Sequence, residues 1–414
     1  MLQDDSLKER FSVYRALVDW KANGTFLREH SLSPFAMELA LGVCRRHLLL
    51  LHAIRKGVAK NPGEKAETIL EMGLFQLFFM DSVPEHAAID TSAELARMAL
   101  GEGAVRLVNG FLRNAARNGL PALPPQNVQR ISIQYSVPDW IVRRWLDEGG
   151  AAEAENRAKE TLATPVQWVR VNTAKTTLEK LRAELGLTGR DYAGRYLEVA
   201  GKDVHLGKLL KSDAFAKGLF SVQNPAAYDV VNLLRCESGN SVWDACAAPG
   251  GKAALLAEMC PGATILATDV SAARLRDMDD IEKRLGLKNV TCAAVDALNS
   301  GFADKFDRIL LDVPCTNMGV LSRRPEALYR IKAEDFKTLP ETQFAILAAA
   351  SRALKAGGRL VYATCSPERA ETTRVIDRFL KENAAFKAAG EPVRIGANDL
   401  GLDHFFAQAL EKAK

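Results

Sequence analysis

The sequence predicts an α/β protein: a catalytic domain built on a doubly wound parallel sheet, preceded by an all-α domain and a small mixed α/β domain. Three observations carry this expectation. The chain has 414 residues, 48% of them hydrophobic and 26% charged, which is ordinary globular composition and too long for one compact core. Residues up to about Gly119 repeat their apolar side chains at helical spacing, without the alternation of a half-buried strand. From Ser241 onward, apolar runs alternate with helical stretches, the pattern of successive βαβ units.

The elements follow in order. Phe11, Tyr14, Leu17 and Val18 share one face of a first helix. The same spacing runs through Phe35–Val58, Ala66–Met80, Ala87–Leu100 and Ala104–Ala116, so residues 1–120 are expected to form a helical bundle. Pro121, Pro124 and Pro125 stop helices and mark a boundary. Residues 128–235 read as a connecting domain, with helical spacing over Trp140–Trp145, a strand at Val166–Val171 and a helix at Thr177–Leu185. Residues 236–414 carry five predicted strands: Ser241–Ala245, Thr264–Thr268, Val290–Ala294, Arg308–Leu311 and Arg359–Thr364. Helices are predicted at Lys252–Met259, Ala272–Leu285, Pro340–Leu354 and Ala370–Lys381. Sheets of this kind bind ligands beyond the carboxyl ends of their strands.

Composition narrows the class only modestly. A formal net charge of +4 suits nucleic acid and a mildly basic enzyme equally well. The seven cysteines are odd in number and form no CxxC pair, and the six histidines are scattered, so no metal site is expected. Free thiols point to a reducing, cytoplasmic setting. Met1–Arg10 is charged, with no apolar signal region, and the run Leu48–Leu51 is far too short for a bilayer, so no membrane association is expected.

Chemistry-bearing residues cluster at the predicted strand ends. The first strand runs into Asp244-Ala-Cys-Ala-Ala-Pro-Gly-Gly-Lys252, where small residues let the backbone approach a ligand and the next helix offers free N–H groups. A phosphate-binding P-loop needs four residues between its glycines and Ser or Thr after the lysine; here Gly250 and Gly251 are adjacent and Ala253 follows Lys252. Asp269 ends the second strand, where a carboxylate accepts from ribose hydroxyls, and Asp296 follows the third, within reach of an adenine amino group. Asp312 ends the fourth. One such aspartate is more often a helix cap or turn residue; three at successive strand ends, beside a glycine turn, fit an adenosyl cofactor without phosphate.

Asp312-Val-Pro-Cys315 follows the fourth strand and Thr364-Cys-Ser366 the fifth. Cys44, Cys236, Cys260 and Cys292 read as small buried hydrophobes, whereas Cys315 and Cys365 are expected to face one cleft. Two thiols and a carboxyl group suit one particular reaction. Carbon 5 of cytosine is too electron-poor to attack a methyl sulfonium until a thiolate adds to carbon 6. An acidic group must then offset the charge developing near ring nitrogen 3. An ordinary Cys is only a few per cent thiolate at neutral pH, so Lys252 or a helix amino end is expected to lower its pKa.

These residues bring a known family into view. The chain resembles the Sun/Fmu (RsmB-type) bacterial small-subunit rRNA 5-methylcytosine methyltransferases. The likeness rests on Cys246-Ala-Ala-Pro-Gly-Gly-Lys252, Asp312-Val-Pro-Cys315 and Thr364-Cys-Ser366, and it extends over nearly the whole chain. Glu85–Asp90 and Leu107–Arg113 resemble the family's NusB-like RNA-binding domain, Arg170-Val-Asn172 and Leu219–Gln223 its connecting domain, and Asp403–Phe406 its closing strand. The resemblance implies that Cys246, Ala247, Ala248, Pro249, Gly250, Gly251, Lys252, Asp269, Asp296 and Asp312 bind S-adenosyl-L-methionine without metal. It also implies that Cys365 is the nucleophile, that Cys315 promotes release, and that Asp312 contacts the cytosine. DNA cytosine methyltransferases use the cysteine after proline instead, here Cys315, and chemistry alone does not choose between the thiols. Val313 stands where Ala is commoner, and Pro367–Thr373 lacks the family's usual Glu-Asn pair. The implied partner is 16S ribosomal RNA before full subunit assembly, met by a monomer. Two other readings stay open: a transfer-RNA 5-methylcytosine methyltransferase, and a non-catalytic ribosomal-RNA-binding assembly factor. Arg45, Arg46, Arg113, Arg143 and Arg144 are candidate RNA contacts.

Overall fold

The structure is a computed structural model that describes residues 5–396 and 400–414; Met1–Asp4, the start of the charged amino terminus, lie outside the described residues. The chain divides into two compact units. One comprises residues 1–164 together with Leu321–Ile331, and the other comprises residues 165–320 and 332–414.

The first unit is helical: α1 (Asp5–Asn23), α2 (Pro34–Arg45), α3 (His47–Gly57), α4 (Glu64–Phe79), α5 (Glu85–Leu100), α6 (Glu102–Asn118), α7 (Asn127–Tyr135) and α8 (Asp139–Glu160). Helix α6 buries Val105, Val108, Phe111, Leu112 and Ala115, one stripe at helical spacing, and leaves its charged face outside. Helix α4 is buried over most of its surface. Its Glu71 is held by Lys21 Nζ at 2.5 Å and by His47 Nδ1 at 2.7 Å. The single helix predicted over Phe35–Val58 is two: Arg46, at φ −110° and ψ 10°, breaks it between α2 and α3. Periodicity missed the break because apolar residues continue across it.

Residues 128–164, assigned by sequence to the connecting domain, belong to this helical unit. Ile131, Val137, Ile141, Val142 and Trp145 are buried, and Arg130 of α7 grips Glu155 of α8 through two contacts of 2.7 Å. The proline boundary is real as a turn, yet a turn does not say which core the next helix joins. The distant segment Leu321–Ile331 also completes this unit. The Tyr329 ring meets Trp20 and His47 edge-on, with centroids 5.5 and 5.3 Å apart, and its hydroxyl donates to the Ser136 carbonyl at 2.7 Å.

The second unit opens with β1 (Trp168–Val171), α9 (Leu178–Leu185), β2 (Asp191–Tyr192), β3 (Tyr196–Glu198), α10 (Leu206–Leu209), α11 (Asp213–Ala216) and β4 (Phe220–Val222). Its strands form an antiparallel sheet in the order β2-β3-β1-β4. After α12 (Ala226–Asn232) come β5 (Ser241–Asp244), α13 (Gly251–Met259), β6 (Thr264–Asp269), α14 (Ala272–Leu285), β7 (Val290–Ala294) and β8 (Phe306–Asp312). Then follow α15 (Asp335–Ser351), β9 (Leu354–Thr364), α16 (Thr373–Glu382), β10 (Phe386–Ala388), β11 (Val393–Ile395) and β12 (Phe405–Lys412).

Strands β7-β6-β5-β8-β9 are parallel, and strand order reverses at β5, which lies between β6 and β8. That reversal opens the crevice in which such sheets bind ligands. Both faces are covered. Trp243, Ile309, Leu311, Leu360 and Tyr362 pack on one side, and Val242, Leu310, Val361 and Ala407 on the other. The sheet is not wholly parallel: β12 runs antiparallel along β9, with β10 and β11 antiparallel to β12. The closing strand expected at Asp403–Phe406 begins at Phe405. Helix α15 starts before Pro340, which lies inside it, and Leu354 opens β9 instead of ending the helix. The helix expected at Ala370–Lys381 begins only at Thr373, after a 3₁₀ turn at Arg369–Glu371. Among the described residues no helix is long and apolar enough to cross a membrane.

Candidate active site

The glycine turn leaves β5 at Asp244 and enters α13 at Gly251. Gly250 adopts φ +103°, and a Cβ there would lie 2.4 Å from Met278 Cγ, so both backbone shape and space require glycine. The Gly251 carbonyl accepts from Arg170 Nη1 at 3.0 Å and from Gln223 Nε2 at 2.8 Å. Arg170 is only 1% exposed and also donates to Glu258 at 2.8 Å. The small antiparallel sheet thus braces the turn from behind, which gives the segments at Arg170-Val-Asn172 and Gln223 a physical task.

In front of the turn lies a cavity of about 200 Å³ whose wall includes Asp244, Cys246, Lys252, Asp312, Asp403 and Phe405. Ala247, Ala248, Pro249 and Gly251 also line it. Asp244 is fully buried, and among the described residues neither of its carboxylate oxygens has a hydrogen-bond partner. Burial first, then the neighbouring Asp312 carboxylate, push its pKa up to about 7. Sequence reading treated Asp244 as a strand terminus; the available signal was that it is a fourth strand-end aspartate. Burial also raises the Cys246 thiol well above the ordinary cysteine range.

Asp269 stands against the turn, accepting from Ala248 N at 3.3 Å and Ser271 N at 3.0 Å, with Arg274 Nη1 3.5 Å away. Like Asp269, Asp296 does not itself line the cavity. Its oxygens accept from Leu298 N at 3.0 Å and Asn299 Nδ2 at 2.8 Å, capping the short turn Ala297–Asn299.

The thiols meet beyond β8 and β9. Cys315 Sγ and Cys365 Sγ are 3.2 Å apart, both free, and Cys365 Sγ donates to Asn317 Oδ1 at 3.3 Å. Asp312 pairs with Lys252 Nζ at 2.5 Å, and that ammonium sits 4.7 Å from the centre of the Phe405 ring. Burial pulls the Lys252 pKa down, but Asp312 outweighs it and the net shift is upward. The Cys365 pKa is raised, not lowered as expected: the hydrogen bond with Cys315 and burial outweigh the opposing pull of Lys252.

Glu371 locks the two cysteine loops together. Fully buried, it accepts from Thr316 N at 2.9 Å, Thr316 Oγ1 at 2.5 Å and Gln343 Nε2 at 3.0 Å, while its own carbonyl accepts from Tyr362 OH at 2.7 Å. Gly319 N donates to the Cys365 carbonyl at 2.8 Å, a contact so close that a Cβ on Gly319 would lie 2.5 Å from that oxygen. Neither Glu371 nor Gln343 stood out in the sequence.

The candidate RNA contacts differ in availability. Arg45 donates to the Ser322 carbonyl at 2.9 Å, Arg46 lies over the Phe79 ring and Arg144 pairs with Glu148. Arg113 is exposed, and Arg143 is exposed with only a 3.9 Å approach to Asp139.

A glycine turn without a P-loop, carboxylates along the switch point of a doubly wound sheet and an adjoining cavity define an S-adenosylmethionine-dependent methyltransferase. Comparison with known proteins narrows the class. Residues 231–399 match the family described as "16S rRNA methyltransferase RsmB/F", and residues 4–117 match the NusB family. The chain is 31% identical over 399 residues to the probable ribosomal RNA small subunit methyltransferase B of Bacillus subtilis, spanning 91% of this chain and 89% of that protein. It is 33% identical over 363 residues to the ribosomal RNA small subunit methyltransferase B of Shewanella oneidensis, spanning 83% and 82%. The crystal structure of the protein PH0851 shares the fold, with a TM-score of 0.80 at 22% identity, covering 99% of this chain and 100% of that one. The chain belongs to the ribosomal RNA small subunit methyltransferase B family.

Proposed function

We propose that this enzyme methylates carbon 5 of a cytosine in 16S ribosomal RNA through a covalent adduct on Cys365. The observation that carries the reading is the pair of free thiols 3.2 Å apart, beside the Lys252–Asp312 ion pair at the edge of the cavity. When bound, S-adenosyl-L-methionine supplies an electrophilic methyl group. The cavity suits it: the glycine turn admits close approach, and the buried, unpartnered Asp244 offers two acceptors to a cationic ligand. Asp244, Cys246–Lys252 and Asp269 would hold it.

The remaining work falls to the chain's own side chains. A cytosine stacked in a helix hides its carbon 6, so the base must be single-stranded or flipped out, at a cost of a few kcal/mol. The Cys365 S–H bond breaks as its sulfur adds to carbon 6, and the proton passes by way of the Asp312 carboxylate, aimed by Lys252, to ring nitrogen 3, where the electron pair gathers. Cys315, in contact with Cys365, takes up the carbon 5 proton, directly or through an ordered water, as the C6–S bond breaks and Cys365 leaves as thiolate. The helical unit, with exposed Arg113 and Arg143, positions the RNA. It also carries an open cavity of about 790 Å³ bordered by His52, Arg55, Lys56 and Leu123–Pro125. The protein acts in this reading as a cytoplasmic monomer on RNA not yet enclosed in a finished subunit.

The test is an asymmetry between two similar variants on unmodified 16S RNA. Cys365→Ala should abolish methylation and any covalent enzyme–RNA species. Cys315→Ala should still attack but stall, so that a covalent complex accumulates on a denaturing gel. Trapping by Cys365→Ala would exchange the roles, and full activity in both variants would overturn the covalent reading.

A further inference from the structure

The proposed reaction needs one thiol that is aimed and kept unspent until a base arrives, yet Cys315 and Cys365 are chemically alike and in contact. Asn317 distinguishes them. Its Oδ1 lies 3.3 Å from Cys365 Sγ, and its Nδ2 donates to the Cys315 carbonyl at 3.0 Å. That second bond fixes which end of the carboxamide faces the sulfur: the amino end is taken, so an acceptor points at Cys365. The residue sits at φ +60°, a left-handed conformation that Asn tolerates better than most side chains, so the backbone holds the amide between the loops.

We propose that Asn317 is a positioning residue that holds Cys365 as an oriented, protonated thiol in the resting enzyme. The proton of Cys365 is directed to Oδ1. An acceptor beside the sulfur favours S–H over S⁻, and the thiolate is the form that oxidises and reacts with stray electrophiles. With a second thiol 3.2 Å away, holding the proton protects the pair. The groups facing Cys365 are Cys315 and Asn317 from the loop after β8, Asp312 at the end of β8 and Lys252 from α13. Lys252 favours the thiolate; Cys315 and Asp312 oppose it.

The inference rests on Cys365 as nucleophile, but its test does not require RNA. Iodoacetamide alkylation of the full-length protein is followed against pH, with Cys365 read out by peptide mass. Asn317→Gly keeps the left-handed backbone and removes the acceptor, so Cys365 should alkylate about three- to tenfold faster at fixed pH below its pKa. Asn317→Asp keeps the shape and places a carboxylate beside the sulfur, so Cys365 should alkylate at least about tenfold more slowly. Both variants lose the bond to the Cys315 carbonyl, so a loosened loop alone would move both profiles in the same direction. Opposite shifts, with slower methylation and unchanged RNA affinity in both, support the role. Profiles that coincide with the parent, or that move together, overturn it. If Cys315 proves to be the nucleophile, the alkylation result still stands or falls by itself.

Discussion

Glu371→Ala is the perturbation whose size can be worked most directly. The substitution leaves Thr316 N, Thr316 Oγ1 and Gln343 Nε2 facing a void in a fully buried site. A buried donor deprived of its acceptor costs about 1–3 kcal/mol. Gln343 Nε2 keeps the Pro314 carbonyl at 2.9 Å and Thr316 Oγ1 keeps Ser366 Oγ at 3.3 Å, so only Thr316 N is stranded outright. One stranded donor and two further lost bonds, at about 0.5–1.5 kcal/mol each, give a total of roughly 2–6 kcal/mol, a large share of a typical folding free energy of about 5–15 kcal/mol. Glu371→Gln preserves volume but presents an amino group to one of the three donors, and should cost about 1–3 kcal/mol. Because Thr316 adjoins Cys315, methylation should fall further than stability alone explains; a misplacement near 1 Å costs about a hundredfold in rate. Urea unfolding gives the first quantity, and single-turnover methylation under fully folded conditions gives the second. If Glu371→Ala unfolds within about 0.5 kcal/mol of the parent and turns over normally, the network does not hold the cysteine loops and the reasoning is wrong.

Other outcomes follow from the same geometry. Gly250→Ala meets Met278 and an unfavourable φ at once, and should weaken cofactor binding at least tenfold in calorimetry while the fold survives. Arg170→Met strands Glu258 and should lower unfolding stability by about 3–5 kcal/mol, much of it restored when Glu258→Leu is added. Asp244 binds its proton more tightly folded than unfolded, with a pKa raised to about 7. Its contribution to stability is therefore greatest at low pH and declines as pH rises from about 4 to 7, by up to roughly 4 kcal/mol. Asp244→Asn should flatten that slope in denaturation curves, and cofactor affinity in the parent should rise as pH passes through about 7, where the folded-state carboxylate ionises. Arg113→Ala together with Arg143→Ala should weaken 16S RNA binding and reduce its dependence on salt, measured by filter retention across ionic strengths.

What the sequence made legible were features with local periods or short spacing. Helices α4 to α6 and the parallel strands β5, β6, β8 and β9 emerged because each buries a continuous stripe or run, whereas the partly exposed β7 emerged from its apolar residues alone. The turn at Ala247–Lys252, with Asp312, Cys315 and Cys365, emerged because strand ends in this topology converge on one edge. What stayed hidden depended on partners distant in sequence. Glu371 and Gln343 look like ordinary polar helix-flanking residues until the fold places both against Thr316 and Pro314. The antiparallel β10, β11 and β12 are short or weakly patterned, and pairing direction is a property of the neighbour, not of the strand.

The discontinuous composition of the helical unit bears on how the molecule is made. Residues 5–160 emerge from the ribosome first and hold most of that unit's core, but Tyr329, which closes on Trp20, His47 and Ser136, emerges only after strands β5 to β8 have been synthesised. At ~5–20 residues per second, the nascent helices wait roughly ten seconds or more for it. Until then the face that receives Leu321–Ile331 has no covering segment of its own chain. A chain stopped near residue 164 would remain in that state, with Trp20 and His47 uncovered. A unit begun before the sheet is completed only after strands β5 to β8 have been made.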